Sequence, residues 1–308
     1  MTVAPWIWAA FVALILFLLG IDLFLHRESR EMSAKESLAW VAFYVFLGLA
    51  FTLVVWAWHG STVAGEYFAG YLIEYSLSVD NIFVFVLLMT YFVVPPSYQH
   101  RVLFWGVVGA LISRAAFIAS GAALLGTFHF MTYIFGAFLV FTAVRMARHQ
   151  ELEVHPEKSL TLRAFRRAIP MTAGYRGDKF FVKEDGRRMA TQLLAVVIVV
   201  EATDIVFAVD SIPAIFAVTR NAFIVFSSNA FAILGLRSLY FVLHDLVRRF
   251  EYLQLGLAVV LGFVGLKMLL ADVYEIPIWA SLVFIVCVLS TSVIVSLRRS
   301  ARPADAAD

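Results

Sequence analysis

Residues Glu201–Phe216 read EATDIVFAVDSIPAIF, and how this stretch is read decides the fold. Glu201, Asp204 and Asp210 fall within ten residues, yet the positions around them are almost entirely apolar and suited to lipid. The rest of the chain agrees with that reading. Its 308 residues are 62% hydrophobic and 15% charged, with a mean hydropathy of +0.87, whereas soluble domains carry roughly a quarter charged residues. Composition therefore places the chain in the membrane class. The net charge of +2 says little, because the charges are segregated along the sequence. The one cysteine, Cys287, lies in an apolar run, so the sequence offers no disulfide framework and no cysteine-based metal site. The start, MTVAPWIWAAF, lacks a basic leader and a small-residue cleavage site, which predicts a retained span and not a signal peptide.

A helix needs about 20 apolar residues to cross a bilayer core. By that measure the expected fold is an all-α polytopic membrane protein with about nine spans: 5–25, 38–58, 67–94, 101–125, 130–147, 190–218, 222–244, 252–271 and 276–297. Lys and Arg gather in alternate connections, at Arg27, Arg30 and Lys35, at Arg101, in 148–189, at Arg248 and Arg249, and at Arg298, Arg299 and Arg302. The other connections, HGSTVAGEY, TFHF, TRN and ADVYE, hold Arg220 alone. The asymmetry predicts an N-terminus outside and a C-terminus in the cytoplasm. In the long basic connection, DKFFVKEDGRRMAT places Asp185-Gly186 between two short strand-like runs, a β-hairpin signal. LTLRAFRRAI before it reads as a basic helix on an anionic leaflet. His149, Glu153 and His155 are weighed as a regulatory metal site, with a solvated face the better reading.

The opening stretch has a partner. EYSLSVDNIF (Glu74–Phe83) and DIVFAVDSIP (Asp204–Pro213) both read acid, four residues, then Val-Asp-Asn/Ser-Ile. Arg114 in WGVVGALISRAAF corresponds to Arg237 in SNAFAILGLRSLY, and FLVFTAVRM to VLGFVGLKM, pairing Arg145 with Lys267. Spans 3–5 and 6–8 thus read as two three-helix copies. Three is odd, so the copies enter from opposite sides, the inverted repeat of transporters, whose substrate site lies near the midplane. The corresponding regions are 1–66, two N-terminal helices; 67–147, repeat 1; 148–189, a cytoplasmic loop; 190–271, repeat 2; and 272–308, a final helix and tail.

A carboxylate at the bilayer centre costs about 2.5–3.5 kcal/mol on insertion scales, so Glu74, Asp80, Glu201, Asp204 and Asp210 together cost about 13–18 kcal/mol. That rivals the net stability of a whole domain, about 5–15 kcal/mol. Protons, bases, water or a bound cation must offset it. Only Arg114 and Arg237 lie well inside the repeat helices; Arg145 and Lys267 lie near span ends, where they can snorkel. Asp22 deepens the acid excess if it faces inward, and beside His26 and Arg27 it reads equally well as solvated or locally paired. Asp245 and Asp272 read as interfacial.

Glu74 and Asn81, like Asp204 and Ser211, are i, i+7 and share a helix face. Asp80 and Asp210 stand about 120° away on an ideal helix, so each helix offers two polar faces or unwinds between its acids; Pro213 favours unwinding in the second copy. Carboxylates, an amide and a hydroxyl are hard oxygen ligands, suited to Mn²⁺, Mg²⁺ or Ca²⁺. The structural alternative is a helix lock, Asp204 with Arg237 or Glu74 with Arg114. Met89 reads as packing. No phosphate-binding glycine loop or Ser-His-Asp arrangement supports an enzyme, and no cofactor or nucleic-acid partner is expected.

The runs YLIEYSLSVDNIFVF, YIFGAFLVFTAVRMA, EATDIVFAVDSIPAIFAVT, NAFAILGLRSLYF and GLKMLLAD, with FFVKEDG in the basic loop, resemble the TerC/Alx family of bacterial integral membrane proteins. The resemblance spans all nine expected helices. It implies an inner-membrane protein linked to tellurium resistance and, in the Alx branch, to manganese export. The resulting expectation is a proton-coupled Mn²⁺ exporter, with Mn²⁺ preferred over Mg²⁺ and Ca²⁺ on the resemblance alone. Glu74, Asp80, Asn81, Asp204, Asp210 and Ser211 are the ion ligands; Glu201 and Asp22 carry protons or support the ligands; Arg114 and Arg237 are counter-ions. Two alternatives stand beside it. An oxyanion carrier for tellurite-like ions would use Arg114 and Arg237 as ligands. A partner of membrane-protein insertion or secretion machinery would work through the basic loop. Oligomeric state is not legible.

Overall fold

The computed structural model describes residues 3–25, 34–128, 130–148, 169–172, 174–184, 186–243, 253–270, 272–273 and 276–300. The elements are α1 (Pro5–Leu25), α2 (Ala34–Tyr91), α3 (Pro96–Thr127), α4 (Met131–Arg148), β1 (Phe181–Glu184), β2 (Arg187–Ala190), α5 (Gln192–Phe216), α6 (Ala222–Leu234), α7 (Leu236–Leu243), α8 (Leu253–Leu269) and α9 (Ile278–Ser300). Helices dominate because a chain in hydrocarbon must satisfy its backbone N–H and C=O groups within each segment. Among the described residues, seven helices are long and apolar enough to cross a membrane, counting α6 with α7 as one and α2 as one; α8 is shorter. The all-α polytopic class is therefore that of the protein.

The 58-residue α2 is too long for one crossing, at roughly 87 Å if straight. It reverses at Gly60, whose φ of 83° and ψ of −179° lie in a region that side chains with a Cβ avoid. The arms fold back on each other. Tyr67 Oη donates to the Gly48 carbonyl at 3.0 Å, and the Phe51 and Tyr67 rings lie 5.2 Å apart. The expected spans 38–58 and 67–94 are these two arms.

No second break occurs where one was expected. α2 is helical from Glu74 through Asp80, and α5 runs unbroken from Asp204 through Asp210 and past Pro213 to Phe216. The physical reason is position: Pro213 lies in the last turn of α5, where losing one N–H ends a helix sooner than it opens its middle.

The α6–α7 segment is the centre of the bundle, with 89% of its spanning window buried against 22% for α9. Being apolar on every side, it packs on every side. Phe223, Phe226 and Phe231 meet Phe11 of α1, and Phe231 also meets Phe51 of α2. α4 and α8 cross at Gly136 and Gly265, where a Cβ on either would press on the other's backbone carbonyl at 3.0 and 2.8 Å. Small residues at such a crossing let dispersion between backbones replace the hydrophobic drive that lipid removes.

β1 and β2 form the expected antiparallel hairpin, Phe181 opposite Ala190 and Glu184 opposite Arg187, with Gly186 between them at φ 76°. It is tied to the α2–α3 connection. Tyr175 Oη donates to the Phe92 carbonyl at 2.7 Å, Arg101 pairs with Asp178, and the Arg101 guanidinium lies 4.7 Å from the Phe180 ring centre. The basic run 160–169 falls mostly outside the described residues, and His149, Glu153, His155, His26, Arg27 and Asp245 lie wholly outside them.

Candidate functional site

α3 places one arginine in the middle of the bundle. Arg114 is fully buried, and its guanidinium gathers groups from two other helices. It pairs with Glu74 of α2 and with Asp204 of α5, Nη2 to Oδ1 at 3.2 Å. Its Nη1 donates to Ser211 Oγ at 3.3 Å. Glu74, Asp204, Ser211 and Asn81 are all buried. The planar fork of five N–H donors makes arginine able to hold two carboxylates and a hydroxyl at once. Two acids on one guanidinium leave the trio one negative charge in excess, inside a medium that penalises it.

Of the two expected locks, Glu74 with Arg114 is present, whereas Asp204 also lies on Arg114 and not on Arg237. Arg237 of α7 pairs instead with Asp22 of α1, Nη1 to Oδ2 at 2.6 Å, both buried. Asp22 is therefore buried in an ion pair and not solvated. The cause is packing: the central α6–α7 segment meets α1 on one side and α5 on another, so Arg237 reaches only the α1 side.

Glu201 precedes Asp204 by three residues on α5 and is half-buried. Its carboxylate occupies the notch left by Gly109 of α3, where a Cβ would overlap it. Its Oε1 has no hydrogen-bond partner among the described residues. Asp80 and Asp210 hold helical backbone positions six residues beyond Glu74 and Asp204; their side chains lie outside the described set. Among the described residues, no three of His, Cys, Asp and Glu come together as a metal cluster.

A cavity of about 630 Å³ opens at the Gly60 end of the bundle, lined among others by Glu66, Thr132, Thr219, Arg220 and Lys267. Thr219 Oγ1 donates to Glu66 at 2.5 Å, Arg220 donates to Thr132 at 3.3 Å, and Lys267 donates to Ser281 at 3.0 Å. Lys267 thus lines this cavity. An apolar layer of Ile118, Leu125, Ile212, Phe216 and Val225 adjoins it, with Leu125 and Phe216 forming part of its wall. Sequence reasoning gave Glu66 no role; the signal was an acid in HGSTVAGEY, a connection otherwise without charge.

Residues 59–304 match the integral membrane protein TerC family. An uncharacterized membrane protein of Myxococcus xanthus, STKORF319, is 47% identical over 96% of this chain and 93% of its own length. Escherichia coli strain K12 has a relative 45% identical over 90% of each chain, which bears the provisional name membrane-bound redox modulator Alx. A Salmonella typhi relative with the same name is 43% identical over 95% of this chain and 94% of its own. No solved structure matches. The family match covers most of the chain, the relatives align over nearly its full length, and the helices are those of a multi-pass membrane protein: the chain belongs to the TerC family of integral membrane proteins.

Proposed function

We propose that the protein is a secondary transporter that exports a divalent cation, Mn²⁺ first, in exchange for protons. The observation that carries this reading is the sharing of Arg114 by Glu74 and Asp204, which occupy corresponding positions in the two sequence copies. A guanidinium held between two buried carboxylates has the charge and place of a cation. Ion binding and the Arg114 pairs then compete for the same oxygens, which couples loading of the site to a rearrangement of α2, α3 and α5. Glu201, in its notch against α3 and with one oxygen unpartnered, is the proton-carrying acid. Asp80 and Asp210 add carboxylates on the same helices, and Asn81 and Ser211 neutral oxygens; such a donor set favours Mn²⁺, Mg²⁺ or Ca²⁺.

The same reading takes the two arms of α2 as two crossings and α8 as another. That makes nine, with inverted repeats over spans 3–5 and 6–8, in an inner membrane with the Lys/Arg-poor Gly60 end outside. A redox role, as the Alx relatives' name suggests, would need chemistry other than dithiol exchange within the chain, which has one cysteine.

The test is Mn²⁺ flux in inside-out vesicles. Wild type is expected to accumulate Mn²⁺ while dissipating a proton gradient, and Asp204→Asn and Asp210→Asn to insert normally and accumulate none. Wild-type protein, correctly inserted, that moves no Mn²⁺ under any gradient overturns the exporter reading and turns attention to insertion machinery as the partner.

A further inference from the structure

The groups on Arg114 come from α2 and α5. Val225 of α6 belongs to one buried apolar cluster with Ile118 of α3 and Ile212 of α5. Leu125 and Phe216 place the cavity beyond that layer, so moving away from the cavity means descending α3 and α5 and ascending α6. One turn further along α3 and α6 come Arg114 and Asn229, because residues four apart share a face. A second bearing agrees. Gly70 of α2 lies against Ser228, where a Cβ would meet Oγ at 3.1 Å, and Glu74 is the next turn of α2. Asn229 thus follows, by one turn, the same apolar cluster that Arg114 follows, on the helix that approaches α2 one turn before Glu74.

Asn229 is 1% exposed. Neither its Oδ1 nor its Nδ2 has a partner among the described residues, and the same holds for Ser78 Oγ, one turn from Glu74 and fully buried. Burying an amide without hydrogen bonds is unfavourable. A leucine would fill the space without that cost. Asn229 and Ser78 therefore carry hydrogen-bonding capacity that the described residues do not fill.

We infer that Asn229, supported by Ser78, completes the ion site from α6, giving its amide oxygen to a bound divalent cation and its N–H groups to a carboxylate. This rests on the transport reading above and extends the site to a helix that the paired acids do not reach. An amide oxygen is a hard, neutral ligand; it adds coordination without adding negative charge to a buried site that already has an excess.

The experiment uses the full-length chain purified in detergent, with Mn²⁺ alone as probe and two readouts: ion-free thermal midpoint and Mn²⁺ affinity by calorimetry. For Asn229→Leu the midpoint is expected to hold or rise while Mn²⁺ affinity falls about 10–100-fold, the range seen when groups supporting a metal site are removed. For Asn229→Asp affinity is expected to persist. A purely structural asparagine would move the midpoint and leave affinity alone, and Asn229→Leu binding Mn²⁺ as wild type does overturns the inference. If the leucine variant does not fold, Asn229→Ala decides by the same affinity criterion. Wild type that binds no Mn²⁺ fails the transport reading itself, whereas wild-type binding with an unaffected Asn229 variant fails only this inference.

Discussion

Arg114 and Arg237 occupy corresponding sequence positions, but their surroundings give them different work. Arg114 sits between two acids of the helices that carry the repeat motif, and Arg237 holds one acid of α1. Removing one partner of a buried pair leaves an uncompensated charge, at about 3–5 kcal/mol. Asp22→Asn is therefore expected to lower the unfolding midpoint in detergent while Mn²⁺ affinity stays at the wild-type value. Arg114→Met is expected to lower the midpoint too, but Asp204→Asn in the same chain should recover part of it, since one carboxylate then no longer needs a partner. Calorimetry and thermal unfolding on the same preparations check both, and an Asp22→Asn variant with weakened Mn²⁺ binding would move Asp22 into the site. The acids themselves were legible in the sequence as costly residues in lipid. Glu74 with Arg114 was legible as a candidate pair, but the partners of Asp204 and Asp22 were not, because two arginines stood at equivalent positions and only packing decides reach.

At the scale of elements, the reversal in α2 hangs on Gly60. Its backbone angles are open to glycine and cost other residues about 1–3 kcal/mol. Gly60→Ala is expected to lower the unfolding midpoint by that measure, although nothing lies within 4 Å of where its Cβ would be, so an unchanged midpoint would show that the strain argument is wrong. At the opposite end, the hairpin is anchored through Tyr175. Burial pushes its phenol up to about 12 from an ordinary 10.0. Because the folded value is raised, the stabilisation that burial of the neutral phenol represents is complete below pH 10 and is lost as pH climbs toward 12. A spectrophotometric titration of wild type minus Tyr175→Phe should show one phenol with a midpoint well above 10; an ordinary midpoint would mean that the Tyr175–Phe92 bond does not persist in solution. The hairpin was legible because Asp-Gly between strand-like runs is a local signal. The unbroken α5 was not, because the sequence shows that a proline is present and not how close it lies to the helix end.

For the molecule as a whole, mean hydropathy, the spacing of apolar runs and the paired motifs determined a great deal: a membrane protein, helical throughout its spans, carrying buried acids on two related helices. These are local properties, since the requirement that each segment satisfy its own backbone in lipid acts on each segment alone. Tertiary structure decided what depends on neighbours. It set α6–α7 at the centre, folded α2 back at Gly60, joined Glu74 and Asp204 through Arg114, sent Asp22 to Arg237, and left Asn229 and Ser78 without partners among the described residues. Charge pairing and hydrogen-bond satisfaction are properties of distance between residues far apart in the chain, such as the 90 positions between Arg114 and Asp204, and distance enters only once the helices have packed.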